Sequence, residues 1–202
     1  MSPLRAELFY GGIGALVALV ANSYPLYLDP KESSGRFIAA VAYYRPLACL
    51  GLYALLAALP AFEMRPNAGT SPDVTYRSLL VRDGAVAGAT TAVVIGATLV
   101  VLTFSQATLF AAGMRDYARE AAPKMLSYVN ERRLERQNPP PQASLEAAEA
   151  ALEPPTPFRA VHAPSSSGLR LIFLLFVGAA AGVVRGSLNR GISPSSRDRW
   201  PK

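Results

Sequence analysis

Four long apolar stretches, separated by charged or proline-rich segments, dominate this sequence. The first runs from Leu8 to Leu28 and contains 21 residues without a charge. As a helix it would be about 31 Å long, close to the hydrocarbon thickness of a bilayer, so it predicts a first membrane-spanning helix at about 8–28. Arg5 precedes this stretch and small residues at 21–23 could form a cleavage site, so a signal peptide is the alternative. Because apolar residues continue to Leu28, we favour an uncleaved helix.

The second apolar stretch, Phe37 to Phe62, is interrupted by a Tyr-Tyr-Arg-Pro sequence at 43–46. Tyrosines beside an arginine are typical of the membrane–water interface, and proline is favoured in the first turn of a helix. The pattern therefore predicts a second span that begins at Pro46 and covers about 46–62, with Arg45 among the lipid headgroups. The alternative places Arg45 inside the membrane as a functional charge. The 17 residues from Pro46 to Phe62 are long enough to favour the interface.

The third and fourth stretches differ in length. Gly84 to Met114 contains 31 residues without a charge and predicts a third span at about 84–112. Leu171 to Val184 has only 14 apolar residues, a length that fits a re-entrant segment as readily as a span. Arginines at both ends can snorkel, and weakly polar flanks extend the stretch, so we predict a fourth span at 168–188.

Between these two spans, residues 115–167 are rich in charge and proline and predict an extramembrane insertion. Its first part has an apolar stripe at helical spacing, with the charges largely off the stripe. This predicts an amphipathic helix that continues from the third span, bends at Pro123, and rests on lipid headgroups or a partner. Ser144 is expected to cap an Ala/Glu-rich helix, which a Pro/Ser linker follows. The stripe comprises Met114, Tyr117, Ala118, Ala121, Met125, Tyr128 and Val129.

Together these elements predict an all-α integral membrane protein with four transmembrane helices. Residues 1–114 would hold the first three spans, 115–167 the partly helical insertion and 168–188 the fourth span. Residues 189–202 would form a basic C-terminal tail. The predicted interfacial residues are Tyr43, Tyr44, Arg45, Arg170 and Arg185.

Small residues recur every four positions in the third and fourth spans. In lipid such residues let helix backbones approach closely, so they mark helix contacts. Two consecutive pairs in each of two helices predict that these helices pack tightly, against each other or against another subunit. The predicted packing positions are Gly84, Gly88, Ala92 and Gly96 in the third span, and Gly178, Gly182 and Gly186 in the fourth.

Composition strengthens the membrane assignment. Of 202 residues, 51% are hydrophobic and 17% charged, whereas soluble proteins carry nearer a quarter charged residues. The formal net charge is +6, but no recognisable nucleic-acid-binding module accompanies it, so we expect lipids rather than nucleic acid as partners. Five basic residues against one acidic residue follow Val184, which favours termini in the cytoplasm.

Catalytic, cofactor and metal sites are not expected. Cys49 and His162 are the only cysteine and the only histidine, which excludes a Cys/His zinc site within this chain. Glu146, Glu149 and Glu153 share roughly one side of a short helix. Such a pattern more commonly indicates a solvated charged face than a metal site. No phosphate loop or zinc-protease motif occurs. We therefore expect no enzyme activity.

The order of parts resembles a bacterial family of small four-helix inner-membrane proteins of unknown function. The resemblance follows a glycine-containing third helix entered through YRSLLVRDGAVAG, an amphipathic helix MRDYAREAAPKMLSYVNERR and a Ser-capped acidic helix SLEAAEAALE. The Pro-rich inserts and the basic tail depart from the family layout. What the resemblance implies is a bacterial inner-membrane location and four-helix topology, and no functional residues.

Two functional hypotheses follow. The first is a non-catalytic accessory or assembly subunit that docks onto other membrane proteins. The second is a small channel or permease-like module that uses the polar face of the third span. The absence of ionisable residues from the predicted membrane cores favours the first, because ion-coupled transporters use groups that change charge. The polar face comprises Thr90, Thr91, Thr98, Thr103, Ser105 and Gln106.

Overall fold

All regular secondary structure is helical in the residues that the structure, a computed structural model, describes: 2–65, 76–136, 138, 140–153 and 167–188. Within these ranges there is no β-strand. A short 3₁₀ turn, Tyr24–Leu26, follows the first helix. The helices are α1 Pro3–Asn22, α2 Gly35–Glu63, α3 Tyr76–Ala107, α4 Ala111–Leu134, α5 Leu145–Leu152 and α6 Ser167–Leu188.

Four of these helices, α1, α2, α3 and α6, are long and apolar enough to cross a membrane. Large apolar side chains lie exposed on each of them, as on Leu16, Leu47, Val101 and Phe176. Such surfaces match lipid, since a water-soluble protein rarely exposes extended apolar patches. The predicted fold class, an all-α integral membrane protein with four transmembrane helices, is confirmed.

The chain divides into two compact units. The first comprises Met1–Gly14, Tyr53–Ile95 and Leu171–Lys202. A buried cluster in this unit joins α1, the residue that follows α2 and the first half of α3. Its members are Ala6, Met64, Leu80 and Ala87.

The second unit comprises Ala15–Leu52 and Gly96–Arg170. Its core forms where α4 packs on α5 and on the first turns of α2. The buried members are Ile38, Ala39, Tyr117, Ala118, Ala121, Ala122, Met125, Ala148 and Leu152. The apolar stripe of α4 is thus covered by this chain's own helices. The expectation that lipid headgroups or a partner cover the stripe was wrong, because α5, through Ala148 and Leu152, already buries it.

The predicted start of the second helix at Pro46 was also wrong. α2 begins at Gly35 and runs through Pro46 without interruption. Proline in a helix interior removes one backbone hydrogen bond and costs about 3 kcal/mol. Burial of Ile38 and Ala39 in the core of the second unit offsets part of that cost and holds the preceding turns helical.

The boundaries of α1 and α3 lie closer to the N-terminus than predicted. α1 begins at Pro3, a favoured first position, and ends at Asn22, shortly before Pro25 sets the 3₁₀ turn. α3 begins at Tyr76 because its first turns are held by buried Leu79 and Leu80. It ends at Ala107, so α4 is a separate helix and not the predicted continuation.

The break between α3 and α4 has a local cause. The backbone N–H groups of Thr108 and Phe110 both donate to the carbonyl oxygen of Ser105, at 3.3 and 3.0 Å, and so leave the helical register. α4 then continues unbroken through Pro123, which is exposed. At α5 the Oγ of Ser144 accepts a hydrogen bond of 3.2 Å from the N–H of Ala147, which is an N-cap. The predicted Pro/Ser linker after α5 and the basic tail 189–202 lie outside the described residues.

Candidate functional site

The backbones of α3 and α6 meet at glycines within the first unit. A Cβ added to Gly88 would lie 2.6 Å from the carbonyl carbon of Gly178, and one added to Gly178 would lie 2.5 Å from the carbonyl carbon of Gly88. One turn further along, a Cβ on Gly182 would lie 2.7 Å from the carbonyl carbon of Gly84. No real Cβ comes so near a backbone atom. Only glycine therefore allows this approach.

The remaining predicted packing positions are buried as well. A Cβ on Gly186 would meet the side chain of Val81, which could move aside, and not a backbone. Ala92 and Gly96 are both buried along α3. In lipid, helices at this separation are held by dispersion and by weak Cα–H···O contacts. These glycines thus act within the chain.

Arg45, predicted to be interfacial, binds the C-terminal end of α1 within the second unit. Its Nη1 donates a hydrogen bond of 3.0 Å to the carbonyl oxygen of Ala21. Its guanidinium also lies 4.3 Å from the centre of the Tyr24 ring, a cation–π contact. A positive charge at this position complements the partial negative charge of a helix C-terminus.

Side chains also satisfy the neighbouring carbonyls of this helix end. The hydroxyl of Tyr27 donates to Val20 at 2.7 Å, and the amide of Gln106 donates to Asn22 at 2.5 Å. The last carbonyls of a helix have no partner within it, and leaving them unpaired in lipid would cost several kcal/mol each. Arg45, Tyr27 and Gln106 together form a side-chain cap on α1, which we call the α1 cap.

Arg185, also predicted to be interfacial, makes an equivalent contact in the first unit. Its Nη1 donates to the carbonyl oxygen of Ala61, in the last turn of α2. The other predicted interfacial residues are Tyr43 and Tyr44, both exposed, and half-buried Arg170. Two of the three arginines predicted at the interface thus bind the C-terminus of a different helix. No sequence pattern signals such a partner, since each lies far along the chain from its carbonyl.

Tyr24 and Tyr117 lie beside the α1 cap. Their rings meet edge to face, with centroids 5.6 Å apart. The Tyr117 hydroxyl is buried and has no hydrogen-bond partner among the described residues. Burial raises the pKa of Tyr117 to about 12, with a further increase from Tyr24 and an opposing effect of Arg45. Burial likewise raises the pKa of Tyr24, against the opposing charge of Arg45. Both phenols are neutral at physiological pH.

The polar residues of α3 are largely engaged with backbone. Thr103 and Ser105 donate to carbonyls one turn earlier in their own helix, at 2.7 and 2.8 Å. Thr91 is buried and its hydroxyl lies 3.5 Å from the carbonyl oxygen of Glu7 in α1. Gln106 belongs to the α1 cap. Such bonding of hydroxyls to the backbone is common in membrane helices.

Lys124 forms a second polar centre of the second unit, which the sequence did not signal. Its ammonium group donates to the carbonyl oxygens of Pro30 and Lys31 at 2.9 and 2.6 Å, and more weakly to that of Ser33 at 3.4 Å. At the same place a Cβ on Gly35 would lie 2.9 Å from the carbonyl carbon of Lys124. The turn before α2 is thus fixed to the middle of α4.

Of the residues considered for chemistry, those in the described part of the chain are not brought together. No group of three or more His, Cys, Asp or Glu within the described ranges is placed to hold a metal ion. Cys49 is half-buried in α2. His162 lies outside the described residues. The geometry therefore assembles helix caps and close backbone contacts, both of which serve packing.

Comparison of this chain with models of known protein families, with curated proteins and with solved structures finds no match.

Proposed function

We propose that this chain is a non-catalytic accessory or assembly subunit of a larger membrane complex. The observation that carries the proposal is that polar side chains of this chain bind the backbone carbonyls of its own helix ends. Arg45 and Gln106 cap α1, and Arg185 binds the end of α2. These groups stabilise the protein's own helix ends, and the outward faces of the spans are apolar. Spans whose outward faces are apolar suit docking in the membrane plane.

The glycines of α6 support the subunit proposal by packing the spans of this chain together, and not by contacting a partner. Because Gly178 and Gly182 contact α3 of the same chain, they are not available to a partner. A partner would instead contact an exposed face of a span. The channel or permease-like alternative relied on the polar face of α3, and the bonds of Thr103, Ser105 and Gln106 give it no observation in its favour.

Site-specific photo-crosslinking in native membranes tests the proposal. A photoreactive residue is placed at Leu47, Val101 or Phe176, exposed positions on three spans, with buried Leu174 as the matched control. A subunit should give a crosslink to one defined membrane protein from one of these faces and none from Leu174. Crosslinks to no protein from any of these faces would contradict the proposal.

A flux measurement separates the two hypotheses. The purified chain is reconstituted in vesicles, alone and as the Gln106→Leu variant. For an accessory subunit we expect no solute flux above that of empty vesicles from either. Flux through the wild-type chain that Gln106→Leu abolishes would instead favour the channel-like module.

We also propose a bacterial inner-membrane location with both termini in the cytoplasm, supported by the family resemblance and by the basic residues after Val184. Reporter fusions at Thr70, Glu149 and after Lys202 test it; Thr70 and Lys202 lie outside the described residues. The first and third reporters should give a cytoplasmic signal and the second the opposite signal. A cytoplasmic signal at Glu149 would mean that α6 does not span.

A further inference from the structure

Glu7 is a carboxylic acid buried inside a helix that is long and apolar enough to cross a membrane. The predicted first span began at Leu8, whereas α1 begins at Pro3 and so contains Glu7. The residue is only 8% exposed, so its side chain lies almost wholly within the folded chain. Acidic residues within membrane helices are rare, and they pair with another group or serve a function.

The packing of α1 on α3 places Glu7 beside the part of α3 that carries no charge. The hydroxyl of Thr91 lies 3.5 Å from the backbone carbonyl oxygen of Glu7. Further along, a Cβ on Gly14 would lie 3.7 Å from the Cβ of Ile95, so the two helices run in the same direction. The nearest charged residue of α3 is Asp83, eight residues before Thr91 and therefore about 12 Å away along the helix.

Glu7 has no counter-ion in the described part of the chain. Its carboxylate forms no ion pair or hydrogen bond there. Two basic side chains of the same unit have other partners: Arg82 is 2.8 Å from Asp83, and Arg185 binds the end of α2. The remaining basic residues in the described part of this unit are exposed, namely Arg5, Arg65 and Arg77.

The titratable groups on the buried side of α1 also supply no positive charge. Tyr10 lies three residues after Glu7 and so on the same face of the helix. Its hydroxyl donates a hydrogen bond to the carboxylate of Glu63, the last residue of α2. Thr91, the residue of α3 beside Glu7, is neutral. A negative charge on Glu7 would therefore have no cation to compensate it.

Burial without a counter-ion favours the uncharged form of this carboxyl. An isolated carboxylate is so costly to remove from water that such a group takes up a proton instead. In the described part of the chain, the Tyr117 hydroxyl is the one side-chain polar atom that is both sealed off and unpaired. The unpaired carboxyl of Glu7 is therefore not sealed off. It reaches the surface of the chain, where it can exchange a proton.

We propose that Glu7 is a proton-binding site within the membrane, and that the first turns of α1 pack on α3 while its carboxyl is protonated. Loss of the proton places an uncompensated charge on the buried face of α1 and loosens this contact. The stability that the proton provides is thus complete at acidic pH, where the folded and the unfolded chain both carry it, and is lost as the pH rises. The site is independent of whether the chain has a protein partner.

Infrared spectroscopy of the purified full-length protein in phosphatidylcholine vesicles tests for the proton directly. A protonated carboxyl has a C=O stretching band distinct from the bands of a carboxylate, and this band shifts in heavy water. At neutral pH the wild type should show such a band, and Glu7→Gln should lack it. The matched control is Glu131→Gln, an exposed change on α4, which should retain the band. If Glu7→Gln removes only carboxylate bands, the proposal is overturned.

The pH dependence of unfolding in mixed micelles tests the link between the proton and the packing. As the pH rises from about 5 to about 9, the ratio of folded to unfolded wild type should fall relative to that of Glu7→Gln, by at most about tenfold per pH unit for one proton. Glutamine has the size of the neutral acid, so Glu7→Gln should fold, and Glu131→Gln should follow the wild-type curve. Parallel curves for the wild type and Glu7→Gln, or a Glu7→Gln protein that does not fold, would contradict the proposal.

Discussion

The side-chain amide of Gln106 donates a hydrogen bond of 2.5 Å to the backbone carbonyl of Asn22, the last residue of α1. Arg45 donates to the carbonyl of Ala21, and Tyr27 donates to that of Val20. Three successive carbonyls at the end of α1 are thus each paired with a side chain. In soluble proteins water or a glycine turn commonly satisfies these groups. In this protein, side chains that lie far away in the sequence take over that role for Ala21 and Asn22.

Loss of the Arg45 side chain should therefore lower the free energy of unfolding more than loss of the Gln106 side chain. Arg45→Met removes a hydrogen bond from a charged donor, worth about 1.5–3 kcal/mol, and also the cation–π contact with Tyr24. Gln106→Leu removes one interhelical hydrogen bond, which averages about 0.6 kcal/mol in membranes. Reversible unfolding in mixed micelles measures both free energies. Ser105→Ala, which loses only a bond within its own helix, is the control and should change little. A larger loss for Gln106→Leu than for Arg45→Met would contradict the assigned order.

The glycine contact gives a sharper comparison. Gly182→Ala places a Cβ against the backbone of α3, which cannot move without separating the helices, so it should destabilise by about 1–3 kcal/mol. Gly51→Ala is the matched control, because nothing lies within 4 Å of its added Cβ. Alanine is the better helix former, so the control should be neutral or stabilising by about 0.5–1 kcal/mol.

Gly186→Ala falls between these two, since its added Cβ is too close to the side chain of Val81 and makes only ordinary contact, at 3.6 Å, with the backbone oxygen of Arg77. The same unfolding measurement ranks the three variants. Equal stability of Gly182→Ala and Gly51→Ala would show that α3 and α6 do not approach as closely as the structure has them.

The sequence predicted the parts of this fold that depend on composition and period. Four long apolar stretches predicted the four helices that can span a membrane. The four-residue spacing of Gly178 and Gly182 identified the positions that contact α3. Both signals can be read from one stretch of sequence. The apolar length of a span must match the bilayer, and the small residues of a contact recur at the spacing of one helical turn.

Signals that depend on a distant partner were missed. Pro46 marks a helix start in most sequences, but here Ile38 and Ala39 are buried by α4 and keep the preceding turns helical. The α4 stripe was expected to rest on lipid headgroups or a partner, whereas α5 and the first turns of α2 cover it. Arg45 and Lys124 read as ordinary basic residues, since nothing near them in sequence reveals the carbonyls they bind.

Lys124 fixes the turn before α2, and its removal should act locally. Lys124→Met keeps the apolar stem and loses the hydrogen bonds to Pro30, Lys31 and Ser33. We expect a loss of about 1.5–3 kcal/mol, as for hydrogen bonds from charged groups. Hydrogen exchange should accelerate in the turn 29–34 first. Arg136→Met, an exposed change just beyond the end of the same helix, should leave that exchange unaltered.

Tyr117→Phe should stabilise the protein, unlike the other substitutions. The Tyr117 hydroxyl is buried without a partner in the described part of the chain, and such a group costs about 1–3 kcal/mol. Phenylalanine keeps the edge-to-face contact with Tyr24 and removes the unpaired group. Unfolding at neutral pH should therefore require about 1 kcal/mol more for the variant. A destabilised variant would instead mean that the hydroxyl is bonded, for example to a buried water.

Comparing the pH dependence of the wild type with that of Tyr117→Phe distinguishes the effect of the Tyr117 hydroxyl from that of its ring. A folded-state pKa of about 12, above the ordinary value of 10, means that the folded protein holds the proton more tightly than the unfolded chain. The stability linked to this group is therefore complete below pH 10 and is lost as the pH rises through 12. Unfolding free energies of the wild type should fall across that interval by more than those of Tyr117→Phe. Tyr24 titrates in both proteins, so the difference between the two curves belongs mainly to Tyr117. Parallel curves up to pH 12 would show that the Tyr117 phenol is not shielded from water as the structure has it.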